Sequence, residues 1–512
     1  MSFRTALDVD PGGETHTVDV CIIGSGAGGS VLAAGLAAQG RSVLVLEAGK
    51  YWTKEQATLQ ERDSMPGLYQ EAGGRSTADG AITVLQGRSV GGSTTVNWTS
   101  CFRTPPKVLA HWQAVHGLDA LTEEALRPHF EAVEQRLSIQ EWPKAAANAN
   151  NQVLFDGAEK LGWETGPMRR NVKGCANSGY CGMGCPVDGK QAMHLTYLAD
   201  AVADGAIVQA EAPVQRLIHD GRRVTGVVAR IQPHGTGLAG GPEVRVTAKV
   251  VVVSGGAINS PALLLASGIR PELPIGHRTF IHPVVAVFGA YEHDIHPWYG
   301  APQTSHSHHH IDRGPGKMGF FLETAPLHPM LAGTGIKLFG RAHSDLMRRL
   351  RQTSALLALH VDGFVPEDVG GVVSLDGHGR PKLDYPFRAP LLEALPASHK
   401  ALVQVHLAAG ATMIGTGHPD PPVLRTEADL SKLETLKYGA LEHAMFTAHQ
   451  MGGCTMGPDP ATSVVGLDHR VHGMDNLFVV DGSVLPTSLG VNPSETVYGL
   501  AHRARAFVAA AV

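Results

Sequence analysis

The chain is short of cysteine, of charge of one sign and of long apolar runs, and each shortage removes a class of protein. Six cysteines in 512 residues, Cys21, Cys101, Cys175, Cys181, Cys185 and Cys454, are too few and too unevenly spaced to staple so long a chain. A disulfide scaffold is excluded and a cytoplasmic, reducing location is expected. Lysine and arginine total 42 against 47 aspartates and glutamates, and no block of basic residues stands out, so nothing selects nucleic acid or an anionic membrane surface as partner. The opening MSFRTALDVDPGGETHT lacks a basic start followed by an apolar core, and glycines break the first apolar run. No signal peptide and no membrane span are expected.

What is present is a long globular sequence that exceeds one ordinary core, so two domains are the default and three the alternative. Residues 18–47, VDVCIIGSGAGGSVLAAGLAAQGRSVLVLE, predict strand, glycine turn, helix and strand. Gly24 permits the tight turn, Gly26 lets backbone approach a pyrophosphate at the helix N-terminus, and Gly29 allows close helix-strand packing. Glu47 closes the second strand where an acid hydrogen-bonds ribose hydroxyls. A dinucleotide site follows.

A second glycine turn, GRSVGGSTTVNW at residues 87–98, offers the backbone of Gly91 and Gly92 to a phosphate, with Ser93, Thr94 and Asn97 as hydrogen-bonding side chains. Its plainer interpretation is an ordinary turn. Helical spacing runs over residues 108–140 and 152–161, and KVVVVSGGAINSPALLLASGI at 249–269 predicts another strand, glycine turn and helix. From about residue 278 to 390 short alternating segments suit an antiparallel sheet, with a hairpin around Asp376 to Arg380. Residues 391–414 are apolar at helical spacing and with the sheet would wall a substrate cavity. No internal repeat or long linker appears, so the domains are expected to interleave: a nucleotide-binding domain from residues 1–110, 200–277 and 440–512, and a substrate domain from 111–199 and 278–439.

Two metal-like patterns need weighing. The run HSHHH at 306–310 has no acid or cysteine at useful spacing and is expected to be a solvated loop. Cys175, Cys181 and Cys185, spaced C-x5-C-x3-C before Pro186, reproduce the bacterial ferredoxin run with Ser178 at its second position, which suits a three-iron cluster. Thiols that simply pack, or that bind zinc with a histidine such as His194, are the alternatives, and packing ranks first.

Four separated motifs, GRSVGGSTTVN, GAINSPALLLASGI, HQMGGCTMG and GVNPSET, resemble those of the glucose-methanol-choline (GMC) oxidoreductases, flavoproteins that oxidise alcohols. The double glycine after His449 and the Gly-Val-Asn-Pro before Ser494 look most like cholesterol oxidases and bacterial long-chain alcohol oxidases and dehydrogenases. Cys101 and Arg270 depart from the family signatures, and local packing changes are expected there. The resemblance implies an α/β chain, α+β overall, in which a Rossmann-like FAD-binding domain interleaves with a substrate domain on an antiparallel sheet. It implies hydride transfer from an alcohol to flavin N5, with His449 as base and Asn492 holding the substrate oxygen. Asp481, Gly482 and Asn97 would lie near the flavin. Val96, where flavinylated members carry a histidine, implies non-covalent FAD. Electrons would pass to oxygen or to another acceptor. The cysteine spacing also resembles flavin subunits of dehydrogenases that feed a cytochrome through an iron-sulfur cluster, and the family includes non-redox lyases.

Overall fold

A computed structural model describes residues 3–233 and 240–512. Residues 1, 2 and 234–239, inside the expected nucleotide-binding segments, lie outside the described residues. Among the described residues no helix is long and apolar enough to cross a membrane.

The chain runs through β1 (Glu14–Ile23), α1 (Ala27–Ala37), β2 (Val43–Leu46), β3 (Ile82–Val84), β4 (Gly166–Pro167) and β5 (Ile207–Gln209). It continues with β6 (Val214–His219), β7 (Val224–Arg230), β8 (Glu243–Val253), α2 (Gly256–Ala266), β9 (Val284–Ala290), β10 (Ser305–Ser307) and β11 (Phe320–Thr324). Then follow β12 (Thr353–His360), α3 (Ala389–Ala408), β13 (Met413–Thr416), β14 (Met445–Thr447), β15 (Leu477–Val479) and α4 (Ser494–Ala510).

The first sheet has the order β5-β2-β1-β8-β7-β6, with the short strand Phe3–Arg4 beyond β5 and β15 also pairing β8. Its core pairs are parallel: β2 with β1, β1 with β8, and β8 with β15. Burial along β8 shows what this does. The half paired with β7 alternates buried and exposed, whereas Val250 to Val253, between β1 and β15, are all buried. A parallel strand covered on both faces reads as a continuous apolar run, and a hairpin strand as an alternating one. The helix α1 is buried from Gly28 to Ala37 and packs between this sheet and α4. It is apolar all round because no face meets water.

The second sheet has the order β3-β14-β9-β12-β11-β10-β4, with β13 also on β9. It is antiparallel except for β3 with β14. Strands β3 and β14 fall inside the expected nucleotide-binding segments 1–110 and 440–512, yet they join this sheet. The hairpin around Asp376 forms as anticipated, between Val372–Leu375 and Pro381–Asp384. One expectation is corrected. Leu391, Leu395, Leu402 and Val405 of α3 pack with Val285, Val287, Leu356 and Ala358, one face of the sheet, while Val284, Leu357 and Leu359, on the other face, line the cavity. The period-two alternation of a strand separates the two sets. Helix α3 therefore backs the sheet and does not wall the cavity.

Candidate active site

One cavity of about 610 Å³ lies where the carboxyl ends of β1, β2, β8 and β15 meet the second sheet. That is the end of a parallel sheet at which nucleotides bind. Gly24, with φ +102°, leaves β1 in a turn where a Cβ would stand 2.3 Å from the Ser254 carbonyl oxygen. Gly26 caps α1 without any side-chain hydrogen bond, so the first amides of the helix stay available to an anion. Gly29 packs against β1, its absent Cβ 3.1 Å from Cγ2 of Ile22. Gly91 and Gly92 have φ of +99° and +57°, and a Cβ on Gly92 would lie 2.7 Å from Cα of Gly26. The two glycine turns thus face each other as a backbone cradle.

Glu47 is buried and braces this cradle. Its Oε2 accepts from Ser25 N (3.0 Å) and Oγ (2.7 Å), and its Oε1 accepts from Gly49 N (2.8 Å). Ser25 Oγ in turn accepts from Gly91 N at 2.9 Å, coupling the two turns. Burial pushes the Glu47 carboxyl up from its ordinary value. Ser93 also has a structural contact, its Oγ accepting from Gly87 N at 3.0 Å. Asn97 lines the cavity with a buried Oδ1 that has no partner. Asp481 and Gly482 line it too. Asp481 Oδ1 accepts from Ser483 N and Oδ2 from Gly256 N, each at 2.8 Å, tying the end of β15 to the start of α2.

On the opposite wall, His449 follows β14 and Asn492 precedes α4, and their side chains meet at 3.3 Å. His449 Nδ1 lies 3.1 Å from Nδ1 of His282, a fully buried histidine. Burial pushes His449 down to about 4 and holds His282 well below its ordinary value, so both rings are neutral at neutral pH. Their tautomers follow from the backbone. Leu489 N and Gly490 N both donate to His282 Nε2, at 3.3 and 3.1 Å, so the His282 proton sits on Nδ1 and is donated to His449. His449, accepting at Nδ1, carries its own proton on Nε2. A half-turn of the Asn492 amide then lets Oδ1, otherwise buried and unpaired, accept from that N–H.

His282 is held in a left-handed backbone conformation, φ +45°, a costly state for a residue with a side chain. Asp362 pins it there: Oδ1 accepts from His282 N (3.1 Å), and Oδ2 accepts from Ile281 N and Tyr385 Oη (2.8 Å each). The last member of the wall is Glu323 on β11. Gln303 Nε2 donates to its Oε2 at 2.8 Å, while Oε1 is buried without a partner. Burial pushes the carboxyl up to about 8, against the pull of Asn492 and Gln303 beside it.

Neither His282 nor Glu323 stood out in the sequence. The only signal was an acid inside the apolar run GFFLET, which a fully buried strand does not tolerate without purpose. The two metal-like patterns fare differently against expectation. The thiols of Cys175, Cys181 and Cys185 are free, and neither they nor a pair of them with His194 form a metal-sized group among the described residues. Cys181 is buried and its Sγ accepts from Arg170 Nη2 at 3.7 Å, while Cys175 donates to Asn177 Oδ1. They pack. The HSHHH run is no solvated loop: His306 is buried on β10 and His308 is half-buried. Arg270, the departure from the second signature, sits at φ +39°, where the family pattern has a glycine.

Comparisons with known proteins place the chain in a family. GMC oxidoreductase family models match residues 65–284 and 371–501, and a model of the NAD(P)-binding Rossmann-like domain matches residues 22–52. An uncharacterized GMC-type oxidoreductase of Mycobacterium tuberculosis is 32% identical over 488 residues, 94% of this chain and 74% of that protein. The long-chain-alcohol oxidase FAO4A of Arabidopsis thaliana is 30% identical over 509 residues, 94% of this chain and 67% of that protein. Among solved structures, pyridoxine 4-oxidase from Mesorbium loti superposes with TM-score 0.71 at 19% identity, covering 96% of this chain and 98% of that one. A formate oxidase variant from Aspergillus oryzae gives 0.70 at 15% identity, covering 97% and 99%. With two family models over most of its length and a relative 32% identical across 94% of it, the chain belongs to the GMC oxidoreductase family of FAD-dependent enzymes.

Proposed function

We propose that this protein oxidises an apolar or bulky alcohol to the aldehyde or ketone, using non-covalently held FAD. The observation that carries this is the convergence of the His449 N–H, the Asn492 amide and the Glu323 carboxyl on the same cavity as the glycine cradle. The cradle suits the dinucleotide: Gly26 and Gly92 leave no side chain in its way, the α1 amides are uncapped, and the Asn97 oxygen lacks a partner. Val96 offers no nucleophile for a covalent tether. When bound, FAD supplies the hydride acceptor.

The protein's own groups handle the alcohol's oxygen. Nε2–H of His449 and the amide of Asn492 hold and orient that oxygen, and the wall of Val284, Leu357, Leu359 and Phe446 excludes water around an apolar substrate. The alcohol proton leaves to a carboxylate oxygen of Glu323 as hydride leaves the carbinol carbon. This assigns the base to Glu323 in place of His449, because a neutral His449 that already carries its proton on Nε2 has no lone pair to offer there. Glu323, pushed up to about 8, must be ionised to accept the proton, so flavin reduction should accelerate as pH rises and level off above about 8. Relatives named as long-chain-alcohol oxidases support an apolar chain as substrate. The deciding experiment is anaerobic mixing with a panel of alcohols, read as flavin bleaching, in parallel with turnover on oxygen and on an artificial acceptor. Bleaching by apolar alcohols supports the proposal, and the faster acceptor identifies oxidase or dehydrogenase. Failure of any alcohol to bleach the flavin would overturn it in favour of a non-redox lyase.

A further inference from the structure

The strand β10 lies second from the substrate sheet's edge, between β11 and β4, and carries His306, with His308 just beyond its last residue. His306 pairs Gly166 of β4, and continuing that antiparallel register sets His308 opposite Glu164. Period-two alternation puts His306, His308 and Glu164 on one face. The structure bears this out: their ligand atoms all lie within 4.8 Å of one another, the only such group of three among the described residues. The side chains are positioned by their surroundings. Glu164 Oε2 accepts from the His308 backbone N at 2.9 Å, and Thr165 Oγ1 donates to the His306 carbonyl at 2.7 Å. Gly166 leaves room for the His306 imidazole, whose Cε1 a Cβ would approach to 3.0 Å. Phe102 packs edge-on against both rings.

Two nitrogens in this cluster lack what buried polar atoms require. His306 is only 8% exposed, and its Nδ1 and the Nε2 of His308 are both buried without a hydrogen-bond partner. A buried polar atom left without a partner is destabilising. The nearby acid is exposed, with one oxygen on the His308 backbone N. Two neutral imidazoles and one carboxylate are the donor set of zinc and its neighbours among divalent first-row metals. We propose that Glu164, His306 and His308 bind one divalent transition-metal cation, with water completing the coordination. The cation would cross-link the outer strands β4 and β10. Because His306 pairs directly with Glu323, it would do so one strand beyond the cavity wall. None of its three residues lines the cavity or is assigned a part in the alcohol chemistry above.

The test uses the intact flavoprotein, freed of metal with a chelator, and zinc as the probe. Calorimetric titration should give one zinc per chain with micromolar affinity, and zinc should raise the melting temperature by a degree or more. The substitution Glu164→Gln, at an exposed position, should weaken zinc at least tenfold, and His308→Asn should do the same and abolish the melting shift. Should His308→Asn fail to fold, Glu164→Gln alone decides. Binding of less than about a fifth of a zinc per chain at 100 µM zinc, or wild-type affinity in the Glu164→Gln protein, would overturn the site.

Discussion

The two walls of the cavity are built on different principles. The parallel-sheet wall presents backbone: Gly24, Gly26 and Gly92 bare their main chain, and Glu47 and Asp481 spend their oxygens on amides of neighbouring turns. The antiparallel wall presents side chains, with His449, Asn492 and Glu323 brought in from three separate segments. Backbone recognition suits a large invariant cofactor, since amides at a helix terminus bind phosphate wherever the side chains have been removed. Side-chain recognition suits chemistry, because only titratable groups move protons. Damage to one wall should therefore abolish catalysis and spare FAD, and damage to the other should do the reverse.

The sharpest break of this kind is at Glu323. Replacement by Gln should slow anaerobic flavin reduction by about a thousandfold, within the usual span of a general base, and leave FAD bound. Its stability effect has a definite sign. A carboxyl raised to about 8 in the folded protein destabilises the fold increasingly as pH climbs from its unfolded value toward 8, so Glu323→Gln should melt higher than wild type, by more at pH 8 than at pH 5. A rate within a few-fold of wild type would remove Glu323 from proton transfer. His449→Ala comes next, with about a hundredfold loss in the same half-reaction and a smaller loss for Asn492→Ala. Rapid-mixing absorbance reads both; unchanged reduction in His449→Ala would show that no substrate contact is made there.

The opposite wall should respond the other way. Gly92→Ala places a methyl 2.7 Å from Gly26 Cα and forces the two turns apart, so FAD affinity should fall at least tenfold, about 1.4 kcal/mol or more, with proton transfer untouched in the fraction that retains flavin. Fluorescence titration of apoprotein measures it, and wild-type affinity would mean that the turns do not clasp the cofactor. The smallest effect concerns attachment itself. Acid precipitation should leave all flavin in a yellow supernatant over colourless protein, and a yellow pellet would refute non-covalent binding.

The contrast between the walls also governs what could be read beforehand. Glycine has to be glycine where φ is +102° or where a Cβ would strike a carbonyl, so Gly24, Gly26 and Gly29 pointed to the cradle once read with the flanking strand, helix and Glu47, while Gly91 and Gly92 equally suited an ordinary turn. His449 and Asn492 were found through motif resemblance, not through any local physical mark. Glu323 and His282 carried no mark strong enough to act on, since their meaning lies in neighbours across two sheets. The HSHHH run was misjudged for the same reason: its acid, Glu164, stands 142 positions before His306 and arrives only when β4 pairs with β10. The ferredoxin-like cysteine spacing, for which packing ranked first, brings no three thiols within reach of one ion among the described residues.

By itself, then, the sequence determined the elements and the nucleotide cradle. Hydrophobic periodicity and glycine conformation act over a few neighbouring residues, and residues 18–47 hold a complete strand-turn-helix-strand unit. Tertiary structure alone decided which face of the second sheet meets the cavity, which histidine nitrogen carries the proton, and which carboxyl is buried beside it. Those depend on long-range strand pairing and on desolvation. Leu489 and Gly490 set the tautomer of His282, 207 and 208 residues away, by aiming two backbone N–H groups at one nitrogen. No spacing along the chain encodes that alignment, because it exists only once the sheets have closed around the site.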